Sequence, residues 1–250
     1  AERPESSLRA PFEVADQEVV LGASIGIALS TLGYQRTEHV IRDADVAMYW
    51  AKSNGKGTHA FFNSSMHTRA VDRLRIEGEL RRALEEDELR VHYQPIVSLE
   101  KDEVAVVEAL VRWQHPVSGL LPPGEFLPVA EESGLMLPLG AWVMAQSCRQ
   151  MQDWKACLGR PVKVSINISN RQFWHCNIAE KIQECLTRGG LSPEDLILEI
   201  TESVIMHDAQ LARRTLNQLH DLGLKLHIDD FGTGYSSLEA LHQLPIDALK

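Results

Sequence analysis

From Leu89 onward one pattern recurs: an apolar run of strand length closes on a polar or acidic residue and gives way to a helical stretch. LRVHYQPIVSL and VAVVEALVRW lead into a long helical region from PPGEFLPVAEESG to MAQSCRQMQDW. VKVSINIS precedes a helix near NIAEKIQECLTRGG, LILEITES precedes DAQLARRTLNQLHDLG, and LKLHIDD precedes a short helix near SSLEALHQL. Apolar strands alternating with helices imply a parallel sheet covered by helices, the α/β class. A (β/α) barrel and an open doubly wound sheet both satisfy that alternation. The polar residues favour the barrel, because each stands at the downstream end of its strand and a barrel brings those ends into one mouth. No Gly-rich dinucleotide fingerprint follows the first strand.

Glu108 in VAVVEALV, Glu199 in LILEIT, and Asp229 with Asp230 in LKLHIDDFGTG interrupt otherwise apolar sequence. A carboxylate buried among Val, Ile and Leu costs several kcal/mol unless something compensates it. Taken singly, each of these residues is as readily a structural ion-pair partner as a ligand. As a set they outnumber the nearby cations, Arg112 and Lys225. A shared hard cation with a preference for oxygen, Mg²⁺ or Mn²⁺, is the economical reading.

Strand alternation puts Glu108, Leu110 and Arg112 on one face, a carboxylate and a guanidinium directed to the same region. Asn167 shares a face with Ser165 and Ser169, and its amide oxygen suits an oxygen-rich shell without adding charge. Glu199 shares a face with Thr201, while Glu202, just past the strand, is placed to hold a neighbouring loop through backbone hydrogen bonds. The run from Asp229 to Ser237, DDFGTGYSS, is the most specific segment: adjacent aspartates can address different ions, and two glycines open backbone conformations closed to other residues. Two metals about 3.5–4 Å apart would clamp a phosphodiester and activate water, which makes phosphodiester hydrolysis the natural chemistry. A barrel metalloenzyme acting on a carbonyl compound accounts for the carboxylates but leaves Arg112, Asn167 and the DDFGTG loop without a reason.

Composition removes several classes. With 250 residues, 44% hydrophobic and 24% charged, the chain is neither disordered nor fibrous. No apolar run reaches the roughly 18 residues of a membrane span, and AERPESSLRA lacks a signal-peptide core, so no membrane contact is expected of this segment. The 4 cysteines lack CxxC spacing and read as reduced thiols in a cytoplasmic setting, with an upstream membrane anchor in a longer parent left open. A net charge of −10 argues against a DNA or RNA polymer as partner.

Before Leu89 the chain offers the buried-strand candidate Val19–Leu29, a helix from about Glu38 to Lys52 with Ile41, Ala44, Met48 and Ala51 on one face, and the short strand THAFF. These are too few to bury a stable core alone. A charged helix follows from about Ser65 to Glu86, with Ile76, Leu80, Ala83 and Leu84 as its apolar stripe. The expected organisation is an N-terminal piece over 1–62, a connecting helix over 63–87 and a barrel over 88–250.

Tyr93-Gln94-Pro95, Glu108-Ala109-Leu110-Val111-Arg112-Trp113, Asn167-Ile168-Ser169, Glu199-Ile200-Thr201-Glu202, Asp229 through Ser237 and Asp247-Ala248-Leu249-Lys250 together resemble the EAL-domain family of cyclic-di-GMP phosphodiesterases. The resemblance covers about Leu89 to Lys250 and implies a modified (β/α)₈ barrel whose first strand runs antiparallel to the rest. It implies Mg²⁺ or Mn²⁺ in a two-metal site on Glu108, Asn167, Glu199, Asp229 and Asp230, with Glu108, Asp229 and Lys250 catalytic and Lys250 orienting the hydrolytic water. It further implies that Arg112 grips a phosphate, Gln94 and Leu110 meet a guanine, and Glu202 holds the DDFGTGYSS loop. The implied reaction opens cyclic-di-GMP to linear pGpG, in a homodimer formed through the EAL domain. A member of the same family that binds cyclic-di-GMP without turnover and signals to a partner or to a linked domain is the alternative. SIGIA, Ala44-Asp45-Val46-Ala47-Met48-Tyr49, Ala51-Lys52 and the Gly-Lys-Gly turn resemble the end of a GGDEF, or diguanylate cyclase, domain without its signature.

The chain begins at Ala1 and stops at LPIDALK with a strand under way, and both ends read as cuts in a longer polypeptide. The family places two further strands, a catalytic Glu and a Gln-Gly segment beyond that point. A barrel missing its last strands is expected to be unstable or inactive by itself, so the functional expectation belongs to the intact parent.

Overall fold

The structure, a computed structural model, describes residues 12–14, 17–19, 22–53, 57–175, 177–232 and 244–250. Two compact units divide the chain, residues 1–76 and 77–250.

In the first unit, β1 (Phe12–Val14) and β2 (Gln17–Val19) pair antiparallel. β3 (Ile25–Ile27) pairs in parallel with β4 (His59–Phe61), and α1 (Thr37–Ser53) lies between them in sequence. α1 approaches β3 so closely that a Cβ on Gly26 would overlap the Ala44 carbonyl and the Met48 backbone, which explains a glycine inside an apolar strand. The buried residues of α1 are Asp43, Ala47 and Ala51, while Ile41, expected on that face, is 59% exposed. Asp43 is admitted because Tyr34 Oη donates to it at 3.0 Å and Arg42 Nε at 2.9 Å. Burial works to raise the pKa of that carboxyl, but the two hydrogen bonds outweigh it and hold it below the usual carboxylate range. α2 (Ser64–Ala83) begins in this unit, with Arg69 over the Trp50 ring and Arg73 over the Tyr49 ring.

The second unit takes in the last turns of α2, where Leu80 and Ala83 are buried as their spacing predicts. Its elements are β5 (Leu89–Ser98), β6 (Glu103–His115), β7 (Gly119–Leu121), α3 (Pro123–Ser133), α4 (Met136–Leu158), β8 (Lys163–Ile168), α5 (Asn170–His175), α6 (Ile178–Gly189), β9 (Leu196–Thr201), α7 (Glu202–His207), α8 (Ala209–Asp221), β10 (Lys225–Asp229) and β11 (Ala248–Leu249). Strand order is β11-β10-β9-β8-β6-β5, with β7 also paired to β6. β6, β8, β9, β10 and β11 run parallel, and β5 runs antiparallel to β6. This is a TIM-barrel-like α/β fold of the modified kind, its first strand reversed.

The two faces of β6 separate core from site. Val107, Ala109, Val111 and Trp113 are buried, and Val106, Glu108, Leu110 and Arg112 are half-buried on the opposite face. α4 packs on β5, β6 and β8, so the helices cover one face of the sheet and leave the other to chemistry. Trp113 is 0% exposed, meets the Phe126 and His115 rings edge-on at centroid distances of 5.7 and 5.0 Å, and donates from Nε1 to Glu88 at 3.0 Å. His115 Nδ1 accepts from the Val117 and Ser118 amides, leaving Nε2–H to donate to Glu79 on α2 at 3.2 Å.

The long helical region anticipated after β7 is two helices, because Gly134 at φ 81° ends α3. The short helix anticipated near SSLEALHQL lies outside the described residues.

Candidate functional site

Barrel strands tilt, so side chains at one height move along the sequence from strand to strand. Glu108 pairs with Ser165, two residues before Asn167, and Asn167 stands opposite Glu199. Glu199 stands opposite His227, two residues before Asp229, and His227 opposite Ala248, two before Lys250. Steps of two preserve the face of a strand. Glu108, Asn167, Glu199, Asp229 and Lys250 therefore share one face at one end of the sheet. On β5, Gln94 stands opposite Glu108, and Leu110 and Arg112 continue along the same face of β6.

Contacts draw four of these residues together. Lys250 Nζ donates to Glu108 Oε2 and to Glu199 Oε2, each at 2.8 Å, and Asn167 Nδ2 donates to Glu108 Oε1 at 2.9 Å. Glu199 is 1% exposed, so its carboxylate is held where water alone cannot compensate it. Burial works to lower the pKa of the Lys250 ammonium, but its hydrogen bonds and attraction to Glu108 and Glu199 outweigh this and hold it above the ordinary lysine range. Arg112 Nη1 donates to the Val111 carbonyl at 2.8 Å, and among the described residues no carboxylate pairs with it.

The loop after β10 is tied at several points. Asp229 ends the strand, and Asp230 takes a left-handed backbone at φ 55°, which aspartate tolerates better than most residues. The Phe231 amide donates to the Lys250 carbonyl at 3.1 Å. The Gly232 amide donates to Glu202 Oε2 at 2.8 Å, and Glu202 is 2% exposed at the start of α7. The rest of the DDFGTGYSS run, from Thr233, lies outside the described residues.

Two neighbours of the site, Asp247 and His227, carry no assigned role in the sequence. Lys225, counted there among cations near the carboxylates, pairs instead with Asp247 Oδ1 at 2.7 Å, while Asp247 Oδ2 accepts the Leu226 amide at 2.9 Å. Asp247 thereby fixes β11 beside β10 and sets where Lys250 falls. His227, inward on the same face beside Glu199, has its pKa lowered by burial, with Glu199 and Asp247 pulling the other way. Only the HIDD spacing marked it.

Burial works to raise the Asp247 pKa, but the hydrogen bonds from Lys225 and Leu226 outweigh it and leave the carboxyl lowered. Its contribution is therefore complete above the unfolded-state value near 4 and is lost as pH falls through the lower folded value. Asp247→Asn is expected to unfold at lower denaturant concentration than wild type at neutral pH. The gap between the two should close in denaturation curves taken below about pH 4.

Oxygen donors of the kind hard divalent ions prefer, two carboxylates and an amide, converge at Glu108, Glu199 and Asn167. That an ammonium bridges both carboxylates shows the pair draws a cation to this point, and the residues fit a divalent metal. Among the described residues no group of three or more His, Cys, Asp or Glu converges as a metal cluster. Asp229 shares the face but enters no ion pair among the described residues, and Asp230 is exposed.

A barrel-like sheet with acidic and basic side chains gathered on one face, most of them near the downstream ends of their strands, defines a class of α/β proteins that do chemistry at the strand termini. The family model for the EAL domain matches residues 77–250, and the chain belongs to that family. The model for the diguanylate cyclase GGDEF domain matches residues 1–58. The chain is 42% identical over 250 residues to MucR of Pseudomonas aeruginosa, a bifunctional diguanylate cyclase/cyclic di-GMP phosphodiesterase, covering all of this chain and 36% of that protein. It is 42% identical over 250 residues to the cyclic di-GMP phosphodiesterase PdeR of Escherichia coli K12, covering 38% of that protein. The chain thus spans little more than a third of these relatives. Among solved structures, the PaMucR phosphodiesterase in its c-di-GMP complex matches at TM-score 0.68 and 43% identity, over 70% of this chain and 71% of that one. The EAL enzyme Bd1971, bound to cAMP and cyclic-di-GMP, matches at TM-score 0.66 and 35% identity, over 72% of this chain and 50% of that one. Among the described residues no helix is long and apolar enough to cross a membrane.

Proposed function

We propose that the intact protein hydrolyses cyclic-di-GMP to linear pGpG at this face of the sheet, using Mg²⁺ or Mn²⁺. The observation that carries the reading is the convergence of Glu108, in the middle of β6 rather than at its expected downstream end, with Asn167, Glu199 and Lys250 from the ends of β8, β9 and β11, and with Arg112 farther along the same face. The relatives MucR and PdeR bear the activity in their names. Glu108, Asn167, Glu199, Asp229 and Asp230 would hold the metal. Bound divalent ions supply a more acidic water and counter the charge of the phosphodiester.

The protein's own groups do the rest. One P–O bond breaks, water supplies the new oxygen, and the released hydroxyl takes up a proton. Lys250 holds an N–H donor between the carboxylates, where it orients the attacking water. Arg112, four residues and about 13 Å along β6 from Glu108, binds a phosphate oxygen. Gln94 and Leu110, flanking Glu108 on that face, seat a guanine. Glu202 fixes the loop that carries Asp229 and Asp230 by accepting the Gly232 amide.

The reading places the GGDEF-derived piece over 1–62, a connecting helix over 63–87 and the EAL domain from 88, acting as a homodimer in the cytoplasm. Free thiols at Cys148, Cys157 and Cys185 are consistent with a reducing compartment.

Arg112→Ala is expected to lower kcat/KM for cyclic-di-GMP by about 10–100-fold, the scale of a charge-assisted hydrogen bond to a phosphate. Steady-state kinetics with the intact protein check this. An unchanged kcat/KM would remove Arg112 from the site.

A further inference from the structure

Away from the strand ends, a cleft of about 570 Å³ opens between α4 and α6, lined by Met144, Ile168, Gln172 and Ile182 with Arg149 and Arg188 at its rim. Two cysteines line it, one on each helix. Cys148 on α4 is 4% exposed, and Cys185 on α6 is half-buried. Cys185 Sγ lies 4.0 Å from the Met144 carbonyl, one helical turn before Cys148, so its sulfur rests on the surface of α4. The hydrolytic site uses neither residue.

We propose that Cys148 and Cys185 form a peroxide-responsive thiol pair that closes to a disulfide between α4 and α6.

The surroundings divide the roles. The Cys185 thiol is lowered to about 7, first by the hydrogen bond from Cys148, against burial, and then by the charges of Arg188 and Arg149, with Glu184 opposing. The Cys148 thiol is raised, by that same hydrogen bond and by burial. Cys185, the more exposed of the two, is the attacking nucleophile, and buried Cys148 the resolving thiol. Cys185 sulfur attacks one oxygen of a hydroperoxide, the O–O bond breaks, and the departing oxygen is protonated to water or an alcohol, leaving a sulfenic acid. The Cys148 sulfur then attacks the Cys185 sulfur, its proton leaving with the hydroxyl as water. Two thiols are oxidised by two electrons, and the peroxide is reduced by two. The staple would lie beside the end of β8: Ile168 and Gln172 line the cleft, and Gln172 Oε1 accepts both the amide and the hydroxyl of Ser169.

The test reads mass rather than turnover, so it stands or falls independently of the hydrolytic reading. The intact protein is exposed at neutral pH to a small excess of hydrogen peroxide, alkylated, and mapped by non-reducing peptide mass spectrometry. The expected product is a single Cys148–Cys185 cross-link, reversed by dithiothreitol, with exposed Cys157 still alkylated. In Cys148→Ser, Cys185 should be captured by dimedone as the sulfenic acid, and in Cys185→Ser, Cys148 should remain alkylatable at the same dose. Full alkylation of both cysteines after peroxide, over-oxidation of Cys185 with Cys148 still reduced, or Cys157 reacting ahead of Cys185 would each overturn the proposal, and the wild-type map alone can deliver any of them.

Discussion

Glu199→Gln will lower cyclic-di-GMP hydrolysis by the intact protein by more than about 10²-fold, beyond the loss that follows removal of an outer-shell metal partner. The substitution keeps the shape of the side chain and deletes its charge. Glu199 is 1% exposed and shares the Lys250 ammonium with Glu108. Without it, that ammonium balances the one remaining carboxylate, and the pair loses half the negative charge that would draw a divalent ion. The cost to the fold should be about 1 kcal/mol, because Lys250 is partly solvated and keeps Glu108. Chromatographic assay of pGpG measures the first effect and circular dichroism of the same sample the second. Retained turnover would mean that Glu199 balances charge and nothing more.

Trp113→Ala will destabilise the EAL unit by about 3–5 kcal/mol, the range for emptying a large aromatic from a core. The side chain is 0% exposed, fills the layer between β6 and α3 against Phe126, and satisfies Glu88 through Nε1. Its removal leaves a void bordered by Phe126 and His115 and a half-buried carboxylate without that donor. Against a typical stability of about 5–15 kcal/mol, much of the margin is gone. Thermal denaturation followed by far-UV circular dichroism should show the EAL transition well below that of wild type. A midpoint within error of wild type would show that β6 and α3 collapse onto the vacated space.

The fold was legible where pattern and position agreed. The α/β class followed from apolar strands alternating with amphipathic helices, and the reversed first strand, implied by resemblance, stands in the pairing of Gln94 with Glu108. Glu108 and Glu199 announced themselves because each breaks an apolar run, and a period of two placed Leu110 and Arg112 beside the first of them.

What escaped depends on register and on partners distant in sequence. That Lys250 meets Glu108 across 142 residues is set by the ladder from β6 to β11, which local sequence does not encode. Asp43 displaced Ile41 from the buried face of α1 because Tyr34 and Arg42 satisfy its carboxylate, a pairing that hydrophobic periodicity is blind to. The short helices α5 and α7 contain too few residues for a period of 3.6 to register. His115 is buried because three hydrogen bonds meet its ring, and its sequence position gave no sign of them.

The most direct measurement is hydrolysis of cyclic-di-GMP by the intact protein with Mg²⁺ or Mn²⁺, following pGpG by chromatography beside Glu108→Ala. Metal-dependent turnover in the wild type that vanishes in the variant is the predicted result. Binding of cyclic-di-GMP with no pGpG formed by the wild type would contradict the account and make the site a receptor for the nucleotide.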